Sequence, residues 1–289
     1  MPTPREILEV LLPDLKVAAN YAQQIQARIA AQPPKDQYNS TFAAALTDAD
    51  LSVQTMIEVA ILGRFPEMRF YGEEHEQSYN TKYFRAIDLG PQDDYLITLD
   101  PIDGTKFYMD GHKNYHVILT ILNADEYEAA IALCPANDVY YYALRGQGAF
   151  VGRFSDALAD CQPLTLDNPA AAIYLGWKLN VVAHQLKDKY TVISLKDSYS
   201  EERQIPNHTG ILSGELTGSI MGAGKFIDGA AIAFMAQEAG YITTTLTGQP
   251  LPPLHTCTNY QRPSLVIASS PAVHADLLKA GEAWLALAT

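Results

Sequence analysis

Residues 94–105 constrain the fold most strongly, because an apolar run is followed at once by a stiff acidic turn. The run Asp94-Tyr95-Leu96-Ile97-Thr98-Leu99 has the composition of a short buried strand. The residues that follow are Asp100-Pro101-Ile102-Asp103-Gly104-Thr105. Pro101 fixes φ, and Gly104 allows a close approach of the backbone. The sequence therefore predicts a strand that ends in two aspartates held on a rigid turn.

Two carboxylates at this spacing can converge on a hard cation such as Mg²⁺, which takes oxygen ligands. The amides of Gly104 and Thr105 could meet an anionic oxygen if a helix begins there. Together these groups suggest metal-assisted attack on a phosphate. Asp-Pro and Asp-Gly are also common in ordinary turns, so a solvated turn is an equal alternative on these residues alone.

The charge balance limits the partners of the chain. With 20 Lys and Arg against 33 Asp and Glu among 289 residues, the net charge is −13. A nucleic-acid backbone requires a basic surface, so binding to a nucleic acid polymer is disfavoured. A phosphorylated small molecule is compatible with this charge, because bound divalent ions can locally invert the field.

The chain shows no sign of export or of a membrane segment. Acidic residues interrupt the apolar pattern of the N-terminus, unlike a signal peptide, and no apolar run approaches the roughly 18 residues of a membrane span. Cys134, Cys161 and Cys257 have no CxxC spacing, which favours buried apolar cysteines over disulfides or a zinc site. We therefore predict a soluble, cytoplasmic protein.

Helical and strand patterns occur in both halves of the chain. Apolar spacing predicts a helix over residues 4–31, in which Pro13 favours a kink or a break, and a second helix from Thr47 to Gly63. Strands are predicted over residues 68–71, 94–99, 115–122, 128–133, 139–144, 189–195, 241–246 and 265–268. Further helices are predicted over residues 225–239 and 272–287. A glycine-rich stretch favours a boundary between an N-terminal domain, 1–155, and a C-terminal domain, 156–289.

Four more acidic residues lie in, or directly after, predicted helices and strands. Asp50 lies in the first turn of the second helix, Glu73 and Glu74 follow a strand, and Asp228 lies in the first turn of the helix predicted over residues 225–239. Taken singly, each favours a structural explanation, since negative charge stabilises a helix N-terminus and adjacent glutamates suit an exposed turn.

The order of these elements resembles the inositol monophosphatase superfamily of Mg²⁺-dependent phosphomonoesterases. That family has a Thr-x-x-Asp element heading a helix, then Gly-Glu-Glu, Asp-Pro-Ile/Leu-Asp-Gly-Thr, and Trp-Asp-x-Ala-Ala followed by Glu-Ala-Gly-Gly. The matching residues here are Thr47–Asp50, Gly72–Glu74, Asp100–Thr105, Ile227–Ala231 and Glu238–Tyr241, with a hairpin-like segment at Ala143–Phe150. The resemblance implies an α+β fold, a layered α/β/α/β/α sandwich of the inositol monophosphatase/fructose-1,6-bisphosphatase type.

The resemblance also implies the metal ligands. Glu73, Asp100 and the carbonyl of Ile102 would hold one Mg²⁺. Asp100, Asp103 and Asp228 would hold a second. A third, weaker ion near Glu73 and inhibition by Li⁺ are also expected.

Catalytic and substrate-binding roles follow from the same resemblance. Asp50, Glu73 and Thr105 would be catalytic, with Thr105 and Asp50 helping to activate the attacking water. Asp103 and the amides of Gly104 and Thr105 would bind the phosphate. The expected reaction is hydrolysis of a phosphomonoester of a small metabolite, as in inositol monophosphatases, and a homodimer is expected because the family often dimerises.

Several departures from the family leave the substrate open. Ile227 replaces the Trp, Tyr241 replaces a Gly, and His75 follows Gly-Glu-Glu. Residues 175–225, which normally shape the pocket for the alcohol, match poorly. The pairs Gln54-Thr55 and Thr105-Lys106, together with Lys225, favour the alternative of a 3′(2′),5′-bisphosphate nucleotidase. The departures also leave open a catalytically silent, metal-binding regulatory protein.

Overall fold

The computed structural model describes residues 1–29, 46–74, 94–227, 229–258 and 261–288. The chain divides into two compact units. Unit 1 comprises Met1–Arg145 and Phe150–Gln162, and unit 2 comprises Gly146–Ala149 and Pro163–Thr289. Among the described residues, every helix is too short or too polar to cross a membrane. Mixed sheets combined with helices confirm the α+β class predicted for the chain.

The described part of unit 1 includes the helices α1 (Pro4–Ile25), α2 (Asp48–Arg64) and α3 (Thr105–Met109). Thr3 caps α1 in a capping box with Glu6, and Pro4 occupies the first turn, where no N–H is needed. Pro13 does not divide α1. Its exposed position leaves the apolar residues on the opposite face packed in the core, which offsets the loss of one helical hydrogen bond.

A sheet follows the order of the sequence in the described part of the first 163 residues. Its strands are β1 (Arg69–Gly72), β2 (Leu96–Asp103), β3 (His116–Leu122), β4 (Tyr127–Cys134), β5 (Val139–Leu144), β6 (Gly148–Arg153) and β7 (Gln162–Pro163). The strands predicted in this half are all present. β1 runs parallel to β2, whereas β2 to β5 pair antiparallel.

Unit 2 is built on a second sheet, with the order β12-β14-β10-β8-β9. Its strands are β8 (Ala172–Leu175), β9 (Thr191–Ser194), β10 (Gly218–Met221), β12 (Ile242–Thr245) and β14 (Leu265–Ala268). β11 (Gly224–Lys225) pairs separately with β13 (Gln261–Arg262). The helices are α4 (Leu195–Ser198), α5 (Ala230–Glu238) and α6 (Pro271–Ala288).

Helices α5 and α6 cover opposite faces of this second sheet. Thr243 Oγ1 donates to the carbonyl of Ala233 in α5, at 3.3 Å. The next residue, Thr244, places its Oγ1 2.8 Å from His274 Nε2 in α6. Successive side chains of a strand point to opposite faces, so the two contacts put the helices on different sides.

Two expectations for the second half are corrected by the structure. The helix predicted from Lys225 begins only at Ala230, because Gly224 and Lys225 pair as a strand with Gln261–Arg262. The cysteines are free, as expected, but only Cys134 is buried; Cys161 and Cys257 are partly exposed. Strands β8 and β10 were not predicted at all.

Candidate functional site

The parallel pairing of β1 with β2 brings two acidic elements to one edge of the first sheet. Gly72 is in register with Leu99, and the Glu73 amide donates to the Leu99 carbonyl at 2.8 Å. Glu73 directly follows Gly72, and Asp100 directly follows its partner Leu99. Because the carboxyl ends of parallel strands lie at the same edge of a sheet, Glu73 and Asp100 are neighbours at this edge.

A bulge in β2 brings Asp100 and Asp103 to the same face of the sheet. Residues three apart on a regular strand point to opposite faces. Here Asp100 pairs with Ile118 and Asp103 pairs with His116, so three steps along β2 match two along β3. The extra residue of the bulge, in the Pro101-Ile102 step, therefore turns both carboxylates to one side.

Asp103 also contacts a buried imidazole. His116 is 3% exposed, and its Nδ1 lies 3.3 Å from Asp103 Oδ2. Burial by itself would lower the pKa of His116, but the Cys134 side chain and the Asp103 carboxylate outweigh it and raise this pKa to about 10. A protonated His116 would orient the Asp103 carboxylate by donating to it.

Asp50 is fully buried at the start of α2. Its Oδ2 accepts from the amide of Thr47 at 2.8 Å and from Thr47 Oγ1 at 2.6 Å, which forms a capping box. Its Oδ1 lies 3.2 Å from Thr105 Oγ1, which is also 2.9 Å from the Ile102 carbonyl oxygen. The capping box thus orients an Asp carboxylate toward the hydroxyl at the start of α3.

Gly104 forms the junction between β2 and α3. Its φ of +87° lies in the left-handed region, which favours glycine. A Cβ at this position would lie 3.1 Å from Phe107 Cδ2 and 3.2 Å from the Asn114 carbonyl oxygen. Both the conformation and the space require glycine here.

The structure thus places most of the residues predicted for the site on adjoining elements of unit 1: Asp50, Glu73, Asp100, Ile102, Asp103, Gly104 and Thr105. The predicted ligand Asp228 and the departure His75 lie outside the described residues. Within the described ranges, no three His, Cys, Asp or Glu side chains are grouped closely enough to hold a metal ion. The donors available are all oxygens, which suits Mg²⁺ in kind.

Sequence reasoning named Glu74 in the Gly-Glu-Glu segment without predicting its burial, and it did not single out Glu58. Glu58 and Glu74 are both fully buried, and Gln54 lies between them at 1% exposure. The usual expectation for such residues is an exposed position. The four-residue spacing of Asp50, Gln54 and Glu58 on one helix was the signal that could have indicated a row of polar residues along one face of α2.

Two of the features that favoured other functions have structural explanations. Lys106 pairs with both carboxylate oxygens of Asp110, at 2.6 and 2.8 Å, within α3. Ile227 and Tyr241 are core residues at 1% and 6% exposure. These side chains are therefore accounted for by an ion pair and by packing.

The α+β fold, the acidic residues at adjacent strand ends and the contact between Thr105 and Asp50 are consistent with a phosphatase of the family that the sequence resembles. The model of the inositol monophosphatase family matches residues 6–283, and the chain belongs to that family. The "Putative Nus factor SuhB" of Neisseria meningitidis serogroup A is 26% identical over 271 residues, which cover 91% of this chain and 94% of the relative.

Solved structures show the same fold. The inositol monophosphatase (IMPase) of Thermotoga maritima superposes with a TM-score of 0.74 at 16% identity, covering 98% of this chain and 99% of that chain. An IMPase/NADP phosphatase complexed with Mg²⁺ and phosphate gives a TM-score of 0.69 at 19% identity, covering 95% and 94% of the two chains.

Proposed function

We propose that this chain is a Mg²⁺-dependent phosphomonoesterase that acts on a small phosphorylated metabolite, in the manner of an inositol monophosphatase. The observation that carries the proposal is the bulge in β2. It directs Asp100 and Asp103 to one face, immediately before the threonine that contacts Asp50. Family membership supports the same reaction class.

The proposed metal ligands are those expected from the sequence. Glu73, Asp100 and the Ile102 carbonyl would hold one Mg²⁺, and Asp100, Asp103 and Asp228 a second. Bound Mg²⁺ polarises phosphoryl oxygens, lowers the pKa of a coordinated water and stabilises a leaving alkoxide. The Ile102 carbonyl also lies within hydrogen-bond distance of Thr105, and its second lone pair leaves capacity for a cation.

Thr105 and Asp50 would take up the proton that the attacking water loses. The Thr105 hydroxyl has one hydrogen, which it donates to Asp50 Oδ1 or to the Ile102 carbonyl. When the Thr105 hydroxyl donates to Asp50 Oδ1, its oxygen can accept a hydrogen bond from a water and align it for attack. As the water attacks, its proton would pass to Thr105 Oγ1 while the Thr105 hydrogen passes to the Asp50 carboxylate. The amides of Gly104 and Thr105 would bind the phosphate. No covalent enzyme intermediate is required.

Phosphate release from inositol 1-phosphate, 3′-phosphoadenosine 5′-phosphate and fructose 1,6-bisphosphate tests the reaction and the substrate together. Release with Mg²⁺, abolished by EDTA and reduced by Li⁺, is expected for one of the three. Asp103→Asn should abolish release, whereas the exposed Asp48→Asn in α2 should retain it. Activity that persists in EDTA or in Asp103→Asn would contradict the proposed mechanism.

A bisphosphate nucleotidase remains the alternative within this class. Preference for the adenosine substrate in the same assay would favour it. Of the residues that suggested it, Lys106 pairs with Asp110, and Gln54 bonds to Glu58 and Glu74.

The second candidate function is a regulatory protein without turnover. The description of the Neisseria relative as a putative Nus factor favours it. Binding of Mg²⁺ without release of phosphate from any of the three substrates would support this alternative. The cytoplasmic location, the homodimer and the exclusion of nucleic acid polymers stay predictions; sedimentation velocity tests the dimer.

A further inference from the structure

We propose that Gln54 is a positioning residue that holds the carboxyl end of β1, and with it Glu73, in place for metal binding. This inference rests on the function proposed above, which assigns Glu73 as a ligand. Gln54 itself contacts neither metal nor substrate in the proposal. It acts through the two residues that flank Glu73.

A polar row lies along the buried face of α2. Asp50, Gln54 and Glu58 are spaced by four residues, which places them on one face of a helix. Their exposures are 0%, 1% and 0%. A buried helix face normally carries apolar side chains, so each polar group in this row requires a specific partner.

The Gln54 amide is engaged at both ends. Its Oε1 accepts from the Glu74 backbone amide at 2.8 Å, and its Nε2 donates to Glu58 Oε1 at 2.9 Å. Because one partner is a donor and the other is an acceptor, only a carboxamide with this orientation satisfies both. A carboxylate at position 54 could not donate to Glu58 and would place two buried acids together.

Gly72 fits against the same side chain. A Cβ on Gly72 would lie 2.3 Å from Gln54 Oε1, so the approach of α2 to β1 depends on the missing side chain. Gln54 thus packs over Gly72 and bonds to Glu74, while the Glu73 amide bonds to Leu99 in β2. The backbone is therefore held at Gly72, at Glu74 and at the amide of Glu73 itself.

Mg²⁺ affinity measured by isothermal titration calorimetry on the full chain tests this role. Gln54→Met keeps the shape of the side chain but loses both hydrogen bonds, and Gln54→Glu loses the donor. Each should weaken Mg²⁺ binding by about 10–100-fold, the usual effect of removing a partner that orients a ligand. The matched control is Gln24→Glu, an exposed residue of α1, which should bind Mg²⁺ as the unsubstituted chain does.

A charge swap separates positioning from general damage to the fold. In the double variant Gln54→Glu/Glu58→Gln, a carboxylate at position 54 accepts from the Glu74 amide and from the new amide at position 58. Mg²⁺ affinity should return to within about threefold of the original, since the hydrogen bonds are restored with the donor reversed. Thermal unfolding without Mg²⁺ monitors the fold of each variant.

The outcomes distinguish this inference from the proposed function. If the unsubstituted chain binds Mg²⁺ and releases phosphate but Gln54→Met binds Mg²⁺ equally well, the positioning role is wrong and the phosphatase stands. If the swap fails to restore affinity in a folded protein, the role is also wrong. If the unsubstituted chain neither binds Mg²⁺ nor releases phosphate, the proposed function fails and this inference fails with it.

Discussion

Thr105 Oγ1 lies 3.2 Å from Asp50 Oδ1, although the two residues are separated by 55 positions in the sequence. The contact joins the first turn of α2 to the first residue of α3. The second partner of the Thr105 hydroxyl is the Ile102 carbonyl, which belongs to the strand that carries Asp100 and Asp103. One hydroxyl therefore links the helix, the strand end and the turn of the candidate site.

Thr105→Ala is expected to reduce kcat for phosphate release by about 100-fold or more, because the hydroxyl that aligns the water and relays its proton to Asp50 is lost. Thr105→Ser retains the hydroxyl and should keep most of the activity. Steady-state kinetics with saturating Mg²⁺ measure both. Equal activities of the two variants would contradict the proposed role of the hydroxyl.

Gly104→Ala is expected to destabilise the protein by about 1–3 kcal/mol, since alanine is strained at a φ of +87° and its Cβ meets Phe107 and Asn114. Gly63→Ala is the matched control. Gly63 lies in α2 with nothing within 4 Å of an added Cβ, so alanine there should raise stability by up to about 1 kcal/mol. Urea unfolding gives both changes, which should have opposite signs.

Glu238, at the end of α5, binds the segment Gly146–Ala149, which belongs to the same unit. Its two carboxylate oxygens accept from the amides of Gly146 and Gly148, both at 3.1 Å. Glu238→Ala should lower the free energy of unfolding by about 1–2 kcal/mol, because two hydrogen bonds to a partly exposed charge are lost. The exposed neighbour Gln237 serves as the control: Gln237→Ala should leave the melting temperature nearly unchanged.

The free energy of unfolding should decrease as the pH falls below about 6.5, and part of this decrease should depend on His274. Burial lowers the pKa of His274 from its ordinary value of 6.5. The unfolded chain therefore takes up this proton first as the pH falls, which favours unfolding. His274→Gln should reduce the loss of stability between about pH 7 and pH 5, measured from urea midpoints, and the exposed His255→Gln should not. Identical pH profiles for His274→Gln and the original chain would contradict this prediction.

Elements with strong local signals were predictable. β5 and β14 have the bounds expected from β-branched and aromatic runs, and α2 begins after Thr47, where a cap was expected. β8 and β10 were not predicted, although the equally short β14 was. Their extended conformation depends on parallel pairing with each other, which is a nonlocal contact.

For the candidate site, the chemical groups and their order could be predicted from the sequence: the acidic turn at Asp100–Thr105, Asp50 at a helix start and Glu73 after a strand. That Asp100 and Asp103 face one side could not, because the bulge that turns them is defined by pairing with β3. The burial of Gln54 was also set by long-range contacts, since its Oε1 accepts from the Glu74 amide, 20 residues away on another element. Local sequence specifies which groups are present, and long-range pairing specifies which of them meet.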